Sequence, residues 1–85
     1  MNYQFIVDYH VVNEKMLTLR QYSDMIPSDD LDWLMGQVYN LVKNWQDKKE
    51  GFYRCYVKIY QREGTKLSQI LNGYYKLDNE TFFFN

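Results

Sequence analysis

The chain's only histidine, His10, stands two residues after Asp8 in a stretch where apolar and polar residues alternate, so both side chains share one face of a strand. A carboxylate beside an imidazole is part of a general acid–base system. Nucleophilic catalysis also needs a Ser, Cys or Thr brought to that ring by folding. Ser23, Ser28 and Ser68 stand in no nucleophile context, and a solvated Asp–His pair accounts for the two residues. No catalytic residue is assigned.

Metal and phosphate chemistry find equally little to work with. One cysteine, Cys55, excludes an intrachain disulfide and a cysteine-built zinc site. Asp29, Asp30 and Asp32 resemble the start of a calcium loop in charge only. The glycine and closing glutamate of such a loop are missing at their offsets, and helix capping explains the three acids. Gly36, Gly51, Gly64 and Gly73 are dispersed rather than gathered before a helix, so no phosphate cradle is indicated. The expectation is a non-enzymatic chain without metal or cofactor.

Binding chemistry is better supplied. If Tyr53, Cys55, Val57 and Ile59 face a core, then Arg54, Tyr56, Lys58, Tyr60 and Arg62 all face the other way. Rings alternating with cations can stack on bases while pairing with phosphates. The same surface can dock an acidic protein patch, since Tyr and Arg are favoured interface anchors. It is also an ordinary solvated strand face, its bases paired across to acids. Trp33 falls off the apolar stripe of its helix, either as a contact anchor or folded over Ile26 and Pro27.

The stretch Lys49 to Val57 resembles the aromatic strand motif of RNA-recognition domains in its base, glycine and aromatics. Glu50 intervenes before Gly51, Tyr53 replaces a small residue, Arg54 and Cys55 replace an aromatic and an aliphatic, and the element order differs. It does not amount to a family match.

The elements that must position these residues follow from periodicity. Tyr3, Phe5, Val7, Tyr9 and Val11 alternate with Gln4, Ile6, Asp8, His10 and Val12, the period of a half-buried strand. Asn13 to Lys15 reads as a turn, and Met16 to Tyr22 as the returning strand of a hairpin. Pro27-Ser28-Asp29-Asp30 marks a boundary, with Ser28 or Asp29 as the helix cap. Leu31, Leu34, Met35, Val38, Leu41, Val42 and Trp45 recur at helical spacing, predicting a helix over 29–48 with Lys48 and Lys49 at its end and Gly51 as its stop. Strands are expected from Phe52 to Gln61 and from Lys66 to Tyr75, the second bulged at Asn72-Gly73. A short helix around Leu67, Ile70 and Leu71 is the rival for that piece. Asp78-Asn79 is read as a turn into a terminal strand whose Phe82-Phe83-Phe84 sends two rings inward.

Composition bounds the whole. At 85 residues the chain has room for one domain, spanning 1–85, that buries roughly two-thirds of its unfolded surface. An apolar fraction of 46% argues against disorder. The first residues read as a strand rather than a signal peptide, and no segment approaches the ~20 apolar residues of a membrane helix, so a cytoplasmic chain is expected. The net charge of −1 divides into −4 over residues 1–47 (seven acids, three bases) and +3 over residues 48–85 (seven bases, four acids). That balance argues against strong unspecific nucleic-acid binding.

The expected fold class is therefore α+β: a small two-layer domain, an antiparallel sheet of about five strands in the order β-β-α-β-β-β with one helix on one face. The expected function is a small protein–protein interaction module of inhibitor or accessory-subunit type. It would bind another protein, or a second copy as a homodimer, through the outer sheet face, Trp33, or both. The alternative is a single-stranded nucleic-acid-binding module using the same aromatic and basic face.

Overall fold

A computed structural model of the chain describes residues 4–48, 51–76 and 81–84, with the backbone alone for 46–48. Tyr3, the Lys48 side chain, Lys49 and the turn expected at Asp78-Asn79 lie outside the described residues. The elements are β1 (Gln4–Val12), β2 (Thr18–Ile26), α1 (Leu31–Lys48), β3 (Arg54–Glu63), β4 (Lys66–Lys76) and β5 (Thr81–Phe84). The five strands make one antiparallel sheet in the order β2-β1-β3-β4-β5. The expected α+β architecture is the one observed. Because β1 lies between β2 and β3 and opposes both, the chain must cross over β1 after β2, and α1 is that crossing.

The period-two residues of β1 do what their spacing predicts: Phe5, Val7, Tyr9 and Val11 are buried. They meet Cys55, Val57 and Ile59 of β3, Tyr75 of β4, and Leu34, Val38 and Val42 of α1 in one core. Full burial of each such side chain contributes about 1.5–3 kcal/mol. Two changes appear at the edges of the helical stripe. Leu31 remains 36% exposed, whereas Tyr39, outside the predicted stripe, packs edge-on against Tyr75 at 6.1 Å. Trp45 closes the β2 end of the core, T-shaped against Tyr9 at 5.0 Å and Tyr22 at 5.8 Å.

The helix starts later than expected because the cap is Asp30. Its Oδ1 accepts the Trp33 amide hydrogen bond at 3.0 Å, and its carbonyl accepts the first helical bond from Leu34. Ser28 supports that cap by accepting a bond from the Asp30 amide at 3.1 Å. The second strand likewise starts at Thr18 rather than Met16. Asn13 Oδ1 accepts bonds from the Lys15 and Leu17 amides, and Met16 takes a left-handed φ of 63°, which lengthens the loop. β2 then pairs with β1 as far as Ile26 opposite Phe5.

Residues 66–76 form a strand and not the rival helix, but the bulge lies elsewhere. Ile59 pairs with Leu71 and Tyr60 with Gln69, so Ile70 is the extra residue. Gly73 serves a different purpose: a Cβ there would overlap the Phe83 carbonyl oxygen and come within 2.6 Å of the Phe84 ring. Its bare backbone lets β5 approach. Of the two rings expected to turn inward, only Phe82 packs against the core. Phe84 stacks on Phe82 at 5.6 Å but stays 40% exposed.

Gly73→Ala should therefore lower the urea midpoint, at a stability cost of roughly 1–3 kcal/mol. Gly36→Ala serves as the contrast. Gly36 has nothing within 4 Å of its missing Cβ, and the substitution should raise stability by about 0.5–1 kcal/mol through helix propensity. A midpoint for Gly73→Ala at or above that of the wild type would refute the close approach of β5.

Candidate functional site

With α1 on one face, no element among the described residues covers the other face of the sheet. Five rows of cross-strand neighbours organise it. Ser23, Asp8, Lys58 and Asn72 form one row, flanked by Gln21, His10, Tyr56, Tyr74 and Phe83 on one side and by Met25, Ile6, Tyr60 and Gln69 on the other. Beyond the aromatic row, Arg54 faces Lys76, while Arg62 faces Leu67 near the β3–β4 turn. The charges on this face are thus Arg54, Lys58, Lys76 and Arg62 against Asp8.

Between β2, β1 and β3 the open face sinks into a cavity of about 520 Å³ lined by Asp8, His10, Gln21, Ser23, Tyr56, Lys58, Tyr60 and Asn72, with Tyr9 and Tyr22 of the core side reaching its wall. This volume falls within the range of ordinary ligand or anchor-residue pockets. Three predicted residues, Tyr56, Lys58 and Tyr60, meet here, with Lys58 exposed between the two rings.

The other predicted residues are placed apart. Arg54 is half-buried, its guanidinium carbon 5.1 Å from the Tyr53 ring centre and 4.9 Å from that of Tyr74, while Nη1 donates to the Tyr56 hydroxyl at a long 3.5 Å. Stacked between rings, it braces the aromatic row. Arg62 is exposed, and its Nε donates to the Gly64 carbonyl at 3.0 Å, tying it to the turn. Trp33 is 49% exposed on the helix, whose packed side covers the opposite sheet face. Trp33 and the strand face therefore lie on opposite sides of the domain and cannot form one continuous contact.

Asp8 and His10 share a face as the spacing predicts, yet each reaches across to β2. The Ser23 hydroxyl donates to Asp8 Oδ1 at 2.5 Å, and His10 Nε2 lies 2.6 Å from Thr18 Oγ1. A hydroxyl against an imidazole is two-thirds of a nucleophile–base–orienter set. The serine proton, however, points to a carboxylate, and no side chain among the described residues holds the other nitrogen of His10. No group of three or more His, Cys, Asp or Glu able to hold a metal occurs among the described residues.

Several site residues are invisible to a reading of isolated strands. Gln21, Ser23 and Asn72 enter the cavity through pairing register. Tyr74 and Phe83 extend the aromatic row, with ring centres 5.9 Å from Tyr56 to Tyr74 and 5.4 Å from Tyr74 to Phe83. Period-two alternation across Tyr74–Tyr75 and Phe82–Phe83 was the available signal. The architecture defines a two-layer α+β domain with one open sheet face. No protein-family model matches the chain, and neither a curated protein nor a solved structure matches it. Among the described residues, no helix is long and apolar enough to cross a membrane.

Directly behind Arg54 and Tyr56, Cys55 faces the core with no exposure, and burial pushes its thiol from 9.0 up to about 12. Ellman's reagent should leave the native protein unlabelled at about pH 8 and detect the thiol after unfolding. Between these two pKa values the unfolded thiol ionises while the folded one does not. The unfolded state then binds fewer protons, so stability falls as pH rises through that window, by about 1.4 kcal/mol per pH unit from this group. Cys55→Ala should flatten that alkaline limb of a melting-temperature profile. Rapid labelling of the native protein would contradict the burial.

Proposed function

We propose that the chain is a small non-enzymatic protein–protein interaction module, of inhibitor or accessory-subunit type, whose outer sheet face docks an acidic patch of another protein. The observation that carries this reading is the cavity of about 520 Å³ with Lys58 exposed between Tyr56 and Tyr60. Asp8 stands across from Lys58 in the cavity, and Arg54, Arg62 and Lys76 add three further cations to the same face outside it. A concave site with aromatic walls and a central cation suits an acidic side chain or loop, desolvated by the rings and paired at its tip. A single buried, unpaired thiol fits a reducing compartment, and we place the protein in the cytoplasm on that ground.

The test is affinity capture with the tagged full chain from nuclease-treated lysate of its native host. Lys58→Glu should reduce recovery of the partner by about tenfold or more, as expected for reversing a charge at the centre of an interface. Trp33→Ala, on the far side, should recover wild-type amounts, with circular dichroism unchanged for both. Full recovery by Lys58→Glu would remove the outer face as the docking surface. Loss in Trp33→Ala alone would move the contact to the helix.

A second reading draws on the row Tyr56–Tyr74–Phe83, braced by Arg54 and flanked by Lys58 and Lys76. Such a row is a stacking platform for a single-stranded nucleic acid. It predicts anisotropy changes with a short labelled oligothymidylate that weaken as salt rises, and a loss of about 1–3 kcal/mol in Tyr56→Ala. An absence of binding at low salt eliminates it.

A further inference from the structure

β2 forms one edge of the sheet, and nothing among the described residues pairs with its outer side. The strand has nine residues and so runs for about 30 Å. Asp24 and Ile26 are half-buried and its other residues are exposed. The opposite edge, β5, offers four residues. Edges of β2's length are usually blunted by proline, a bulge, a covering element or charged residues; β2 carries one charge of each sign, Arg20 and Asp24, which disfavour a neutral strand but complement a second β2. β2 has no proline, no covering element among the described residues, and a single irregularity near its start, at Leu19 between Thr18 opposite Val12 and Arg20 opposite Val11.

From Arg20 to Asp24 the side chains of β2 are complementary about Tyr22. We propose that β2 pairs antiparallel with β2 of a second copy of this chain, on a two-fold axis at Tyr22, making one continuous sheet through the dimer. Tyr22 then faces its own counterpart, Gln21 faces Ser23 and Arg20 faces Asp24, while beyond Arg20 the irregularity at Leu19 ends the regular register. Polar residues meet polar, ring meets ring, and opposite charges meet twice. Re-centring the axis on Arg20 or on Asp24 sets like charges face to face, and centring it on Gln21 or Ser23 leaves both charges unmatched. Cross-strand pairs of this kind set register.

The state of the two charged residues supports that register. Arg20 lies over the Trp45 ring at 4.9 Å and the Tyr22 ring at 5.7 Å, on the helix side of β2, and Asp24, opposite Val7, stands on that same side. A pairing whose two partners have even-numbered sums keeps both helices on one side and both open faces on the other. Gln21 and Ser23 line the outer-face cavity, so the two cavities would meet at the seam and each would gain a polar rim from the second copy. This association uses the sheet edge and stands whether or not the open face docks a protein.

Sedimentation equilibrium on the full chain tests it. The wild type should show twice the 10.5 kDa chain mass. Arg20→Asp and Asp24→Arg should each sediment as monomers, and the double variant should recover the dimer. An equimolar mixture of the two single variants should also dimerise, because each supplies the charge the other lacks. Near-ultraviolet circular dichroism checks folding; if Arg20→Asp does not fold, Asp24→Arg and the double variant decide. A monomeric wild type at millimolar concentration overturns the proposal, as does a dimer mass untouched by Asp24→Arg. Open-ended growth with concentration also overturns it, because that signals β2 pairing with β5 of the next copy.

Discussion

One amphipathic helix has a single apolar stripe, and a five-stranded sheet has two faces. α1 spends its stripe, Leu34, Val38, Val42 and Trp45, on the face that carries Phe5, Val7, Tyr9, Val57 and Ile59. The remaining face must then be stable against water, and its composition reflects that demand. Tyrosines, amides and cations occupy it, with few bare aliphatics. Tyrosine presents a ring to its neighbours and a hydroxyl to solvent, which suits a surface that is neither core nor fully polar. The same chemistry makes the face adhesive, so the shortage of helix and the presence of a candidate site share one cause.

The two faces are only one strand thick, and β3 shows how tightly they are joined. Cys55, Val57 and Ile59 fix its inner side in a core with no slack, and this determines where Tyr56, Lys58 and Tyr60 stand on the outer side. A slip of one residue would exchange the two sets. The bulge at Ile70 lets β4 keep both Leu71 and Gly73 on the inner side while the strand bends towards β5. Arg54, stacked between Tyr53 and Tyr74, limits how far the aromatic row can shift.

Much of this was legible from periodicity. The alternation Phe5–Val11 and the helical stripe from Leu34 to Trp45 each specify an element and its buried side, because burial period and backbone period coincide. Boundaries were less readable. Asp30 rather than Ser28 or Asp29 caps the helix, a choice among neighbouring acceptors that depends on chain direction after Pro27. Met16 in a left-handed conformation had no sequence signal, since a methionine there is disfavoured locally and held by the Asn13 bonds. The face of β3 was correctly grouped, but its members were dispersed along the sheet by strand order. Which strand lies beside β1 is a tertiary fact, and without it Asp8, Ser23, Lys58 and Asn72 cannot be seen as one row. The absence of a glycine-driven bulge at Gly73 has the same origin: the residue answers to β5, a partner its own neighbourhood does not announce.

The placement of β1 also sets an order of events during synthesis. Its first neighbour, β2, follows after a short loop, but its second neighbour is β3, where Phe5 meets Gln61 across the whole length of the helix. Until β3 leaves the ribosome, β1 carries an unsatisfied row of backbone groups beside an uncovered apolar face. Closure of so long a loop is slow relative to local hairpin formation. The nascent hairpin therefore spends its early life as a template in search of a strand, and the helix that later separates β2 from β3 in sequence is the element that can shield it meanwhile.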